Sequence, residues 1–115
     1  MTNRLIGGRW IVSSFTNETT GFEGEGIYGF DEAKQAYVGT WVDTMRGSLV
    51  LGAGTFDAAA RTMTYRFELA SGERTIRWRD VHQIVDDDTR RFSSFIEYTP
   101  GQEHEVVRAT YRRRA

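Results

Sequence analysis

Asp80 and His82 stand two residues apart in an alternating segment, Ile76-Arg-Trp-Arg-Asp-Val-His-Gln-Ile84. On a strand, residues i and i+2 point the same way with Cβ atoms roughly 7 Å apart, so a carboxylate and an imidazole at that spacing can touch. A carboxylate beside an imidazole favours the imidazolium and fixes its tautomer, as a general acid or base requires. Asp43, two residues after Trp41, is a candidate second carboxylate for the same cavity. Two carboxylates sharing a low-dielectric site push one pKa upward, which proton-transfer enzymes use. No serine or cysteine motif accompanies these residues. The plainer alternatives are a structural hydrogen bond for Asp80–His82 and a turn cap over 44–47 for Asp43. His82 and His104 lie 22 residues apart, and Asp86-Asp-Asp88 lacks the spaced oxygen ligands of a calcium loop. With no cysteine there is no thiolate nucleophile and no Cys-ligated metal. Neither metal nor cofactor is expected.

Aromatic residues surround these groups in the pattern. Strand alternation places Tyr28, Tyr65, Trp78 and Tyr98 on the same inward faces as Asp80 and His82, with Trp10, Trp41 and Asp43 as companions. Rings with hydroxyl or indole tips suit an apolar pocket with a few orienting polar atoms. The alternative is a packed core whose polar tips are satisfied.

The elements that must hold these residues are strands. Met63, Tyr65, Phe67 and Leu69 alternate with Thr62, Thr64, Arg66 and Glu68, the pattern of a strand with one wet face. Phe92, Ser94, Ile96 and Tyr98 repeat it, with Phe95 interrupting the polar side, and so do Val107, Ala109 and Tyr111. Arg9–Phe15, Phe22–Phe30, Ala36–Thr44 and Ser48–Thr55 are rich in β-branched and aromatic residues. Turn signals separate the segments: Thr16 to Gly21, Asp31 to Gln35, Met45 to Gly47, Asp57 to Arg61, Ala70 to Glu73, Asp86 to Arg90 and Pro100 to Gln102. Ala58–Ala60 is too short to nucleate a helix. This predicts an all-β chain, an antiparallel up-and-down meander of about eight strands closed into a barrel. The glycines inside strands are read as barrel corners. One hundred and fifteen residues, 39% hydrophobic and 27% charged, fit a single domain over 1–115. A net charge of −1 removes the global electrostatic case for nucleic acid or an anionic membrane.

Several segments resemble the bacterial domain-of-unknown-function family numbered 1579. They are Gly7-Gly-Arg-Trp10, Phe22-Glu-Gly24, Tyr28-Gly-Phe-Asp31, Tyr37-Val-Gly-Thr-Trp-Val-Asp43 and Gly54-Thr-Phe-Asp57, with Tyr98-Thr-Pro-Gly101 near the end. The resemblance runs from about Gly7 to Arg112 and implies a calycin-like (lipocalin-like) barrel. It implies no established reaction. Members carry further N-terminal strands before the Gly-Gly-Arg-Trp segment, and this chain is expected to lack them.

The functional expectation is a small soluble barrel that binds a hydrophobic or aromatic small molecule between Trp10, Tyr28, Trp41, Tyr65, Trp78 and Tyr98. From a different class, the alternative is a cofactor-independent cyclase, isomerase or hydrolase using Asp43, Asp80 and His82. No stretch approaches the ~20 apolar residues of a membrane span, and the N-terminus lacks a secretory apolar segment, so a cytoplasmic location is expected. A strand missing beside Arg9–Phe15 would leave open edges, and few lysines or prolines protect them, which predicts a homodimer. In such a dimer the Arg112-Arg-Arg114 run would pair with acids of the other copy.

Overall fold

The computed structural model describes residues 2–113. Nine antiparallel strands follow one another in sequence order: β1 (Thr2–Ile6), β2 (Trp10–Asn17), β3 (Phe22–Asp31), β4 (Ala36–Asp43), β5 (Val50–Asp57), β6 (Thr62–Ser71), β7 (Arg74–Asp86), β8 (Thr89–Thr99) and β9 (Gln102–Arg112). The antiparallel meander is as the alternation predicts, with nine strands in place of about eight. The addition is β1. It pairs with β2 from Thr2↔Ser14 to Ile6↔Trp10, so the strand expected to be missing beside Arg9–Phe15 is present. Gly7 and Gly8 make the connection, both with positive φ (58° and 68°), and the Arg9 N–H donates to the Ile6 carbonyl at 3.1 Å. Two consecutive positive-φ positions form the turn whose twist matches antiparallel strands, and glycine adopts them without strain. Arg114 lies outside the described residues. Among the described residues no helix is long and apolar enough to cross a membrane.

The chain divides into two compact units, Met1–Ala53 and Gly54–Ala115. In the first, β1 to β4 pair in unbroken register. That register puts Ile11, Ser13, Phe15 and Asn17 on one face with Phe22, Gly24, Gly26, Tyr28 and Phe30 and with Tyr37, Gly39, Trp41 and Asp43. Val12 and Val50 are this unit's buried apolar side chains, each 2% exposed. Three glycines of β3 make room for rings. A Cβ on Gly24 would collide with the Trp41 indole, one on Gly26 with the Tyr28 hydroxyl, and one on Gly29 with the Trp10 indole. Close approach of aromatic rings therefore accounts for these glycines, where the sequence suggested barrel corners.

In the second unit β6 to β9 pair in the same order. Cross-strand rows run Met63–His82–Phe92–Ala109, Tyr65–Asp80–Ser94–Val107 and Phe67–Trp78–Ile96–His104. Tyr65 and Phe67 are buried, and among the described residues Ser94 and Thr89 are the buried polar ones. The other face is charged. The Arg79 guanidinium lies 3.9 Å from the centre of the Phe95 ring and donates twice to Glu103, at 2.9 and 2.8 Å. Phe95, which breaks the polar alternation of its strand, thus carries a cation on its ring face.

Three hairpin turns share one design. The side chains of Asn17, Asp31 and Asp57 accept from the backbone N–H of Thr20, Lys34 and Ala60 at 3.3, 3.1 and 3.1 Å. Each turn then ends on a residue in the left-handed region: Gly21 (φ 74°), Gln35 (50°) and Arg61 (50°). Asn and Asp favour such positions because their short side chains replace a backbone acceptor.

Candidate functional site

The second unit gathers Tyr65, Trp78, Asp80 and His82 on one face, as the period-two reading expects, together with Phe67, Phe92 and Ser94. The rings form a continuous set. Trp78 stacks on Phe67 at 5.2 Å with planes 17° apart, and Tyr65 lies 6.5 Å from Phe67. The His82 imidazole meets Tyr65 edge-on at 6.2 Å and Phe92 at 4.9 Å. His82 keeps an exposed surface at the border of this set, whereas Tyr65 and Phe67 are 6% and 1% exposed.

Asp80 and His82 are not joined as an acid–base dyad. The Asp80 carboxylate accepts the Ser94 hydroxyl at 2.7 Å across the ladder. Burial raises the Asp80 pKa, and the Ser94 hydrogen bond opposes that rise. His82 is pushed down to about 4 from its ordinary 6.5, first by burial and then by the charge of Arg90. Loss of hydration penalises each charged form, so the same environment moves the acid up and the base down. The expected imidazolium is therefore replaced by a neutral imidazole at pH 7. Neutral imidazole carries one donor and one acceptor nitrogen and can bond an uncharged ligand in either sense.

The other nominated residues are placed differently. Asp43 accepts from the Trp41 indole N–H at 2.8 Å and from the Met45 backbone N–H at 2.9 Å. It anchors a ring and caps the turn, the plainer of its two sequence readings. Tyr28, Trp41 and Asp43 share a face of the first unit, but Trp10 pairs with Gly29 and points to the opposite face. Tyr98 sits at the irregularity between Glu97 and Thr99 and is 53% exposed, apart from the ring set of its unit.

An open groove of about 440 Å³ lies at the β2–β3 hairpin end of the first unit, lined by Phe15, Asn17, Thr20, Phe22, Thr44 and Met45. None of the nominated residues lines it. The sequence signals available for it were the two phenylalanines flanking a polar turn and the methionine after Asp43.

The family model described as "Protein of unknown function (DUF1579)" matches residues 1–113. No curated protein and no solved structure matches the chain.

Proposed function

Since the chain belongs to the family of proteins of unknown function DUF1579, which prescribes no reaction, we propose from its own residues that it binds an uncharged aromatic small molecule. The site is the ring face of the second unit. One observation carries this reading: an accessible imidazole held between Tyr65 and Phe92, kept neutral and set beside a stacked Phe67–Trp78 pair. The half-buried rings of Trp78 and Phe92 supply the affinity, backed by the buried Phe67 and Tyr65, and one polar group supplies orientation, the usual economy of a small-molecule site. Acid–base catalysis is the weaker reading because both Asp43 oxygens are engaged by Trp41 and Met45, and Asp80 Oδ1 is held by Ser94 with no hydrogen bond to His82.

The test uses N-phenyl-1-naphthylamine, an uncharged dye whose emission rises in apolar surroundings. Saturable binding with energy transfer from tryptophan is expected. Trp78→Phe should reduce the transfer, and His82→Ala should weaken binding about tenfold, equivalent to ~1.4 kcal/mol. Saturable binding unchanged by both substitutions would place the ligand elsewhere.

We also infer that the partner of β9 is a second copy of the chain. Strand β9 is last in the strand order, and all of its residues but Ala109 are exposed. Its charges are segregated. Glu103 and Glu105 precede Val106 and Val107 (48% and 45% exposed), and Arg108 and Arg112 follow. Antiparallel pairing about a two-fold axis between the valines sets Glu105 opposite Arg108 of the other copy, so the Glu105–Arg108 pair made within one strand is exchanged for two across the seam.

A further inference from the structure

The groove at the end of the first unit has an apolar floor and a polar rim of unusual composition. Phe15 and Phe22 are diagonal neighbours across the β2–β3 ladder, with ring centres 5.8 Å apart and planes at 63°. Met45 adds a thioether wall and is 77% exposed. These walls are fixed from below. The Thr44 N–H donates to the Glu23 carbonyl at 2.9 Å, and the Glu23 N–H donates to the Thr44 hydroxyl oxygen at 3.2 Å. Asp43 holds the Met45 N–H.

The rim consists of Asn17, Thr20 and Thr44. In all three the side-chain oxygen is already an acceptor for backbone. Asn17 Oδ1 accepts from the Thr19 and Thr20 N–H at 3.1 and 3.3 Å, Thr20 Oγ1 accepts from the Phe22 N–H at 3.3 Å, and Thr44 Oγ1 accepts from Glu23. Both acceptor sites of Asn17 Oδ1 are thereby taken and each threonine oxygen keeps one, so the rim is weighted toward donors. The Asn17 amide has two N–H groups and each threonine has one O–H. The rim therefore presents donors around aromatic and thioether surface. Glu18 and Glu23 line an adjoining recess that shares Asn17 and Phe22 with the groove. Their charges disfavour an anion there.

We propose that this groove is a binding site for an uncharged aryl carbonyl compound, such as an aryl ketone, ester or lactone. The ligand ring lies on Phe15, Phe22 and Met45, and its carbonyl oxygen accepts from the Asn17 amide and the two threonine hydroxyls. This site is separate from the imidazole face of the second unit and does not depend on it.

The experiment is a titration of the full ¹⁵N-labelled chain with 2-acetylnaphthalene, 2-ethylnaphthalene and 2-naphthoate, followed by amide chemical shifts. The ketone should bind about fivefold or more tightly than the hydrocarbon, the worth of one net hydrogen bond of ~1 kcal/mol. It should also bind more tightly than the carboxylate. Its shifts should centre on Thr20, Phe22, Thr44 and Met45. Asn17→Asp keeps the oxygen that caps the turn and removes both amide hydrogens, so it should reduce the preference for the ketone over the hydrocarbon, the two threonine hydroxyls remaining. Phe15→Leu should weaken both uncharged ligands together. Equal binding of ketone and hydrocarbon would overturn the proposal. So would a preference left undiminished by Asn17→Asp, or shifts confined to Tyr65, His82 and Phe92, the last of which would leave the imidazole-face reading standing alone.

Discussion

His82 offers a direct test of the environment described for it. In the folded chain its pKa is about 4, against 6.5 for an ordinary imidazole. Folding therefore favours the neutral ring. The stability gained is fully present above pH 6.5 and is lost as pH falls toward 4, because the unfolded chain takes up the proton first. A fall of about 2.5 pH units corresponds to about 3.4 kcal/mol for a fully enclosed ring, and screening at the exposed side of the imidazole reduces this to about 1–2 kcal/mol. Asp80 has the opposite sign: its raised pKa makes its ionisation cost stability as pH rises. Comparison with His82→Gln removes that contribution, since Asp80 is present in both proteins. Urea unfolding between pH 7.5 and 4.5 should show the parent chain losing about 1–2 kcal/mol more than His82→Gln. Arg90→Gln should raise the His82 pKa, read from the ring protons by NMR. Parallel stability curves for parent and His82→Gln, or an imidazole titrating at 6.5 or above, would refute the reasoning.

Gly24→Ala and Gly29→Ala should each destabilise the chain by about 1–3 kcal/mol, because the new methyl displaces the Trp41 or Trp10 indole. Unchanged urea midpoints and tryptophan emission would contradict the ring-on-glycine packing. Gln35→Gly and Arg61→Gly should stabilise by about 0.5–1 kcal/mol, since both residues occupy the left-handed region where a Cβ is strained. Lower thermal midpoints in both would show that their side chains contribute more than the strain costs. Sedimentation at high micromolar concentration should give a dimer, and Val106→Asp with Val107→Asp should return it to monomer. A monomeric parent chain would remove the β9 pairing.

The strands with one apolar face were readable because alternation sets their register. Met63 to Leu69 and Ile76 to Ile84 pair as their patterns require, and this alone brings Tyr65, Asp80 and His82 to one face. Strand β1 was not readable from alternation, since only Leu5 and Ile6 are apolar. The signal was instead Gly7-Gly8, a two-glycine hairpin turn. Trp10 was assigned to the wrong company because Trp10, Ile11 and Val12 are apolar in succession, and only the pairing to Gly29 decides its face. Tyr98 follows Phe92, Ser94 and Ile96 in perfect alternation, but an irregularity after Glu97 takes it out of the row. The partner of Asp80 depended on β7–β8 register, which no local pattern specifies. Geometry assigned that hydrogen bond to Ser94 in place of His82.

Within each unit every strand pairs with the strand made just before it. All-β proteins fold slowly when their ladders join distant segments, because long loops must close before any pairing compensates. Here the connections are short turns, several of them capped by their own first side chain. The order of synthesis is therefore also an order of assembly. As a strand leaves the ribosome, the template for its backbone hydrogen bonds is already in place, and each new hairpin covers the edge that the previous strand left exposed.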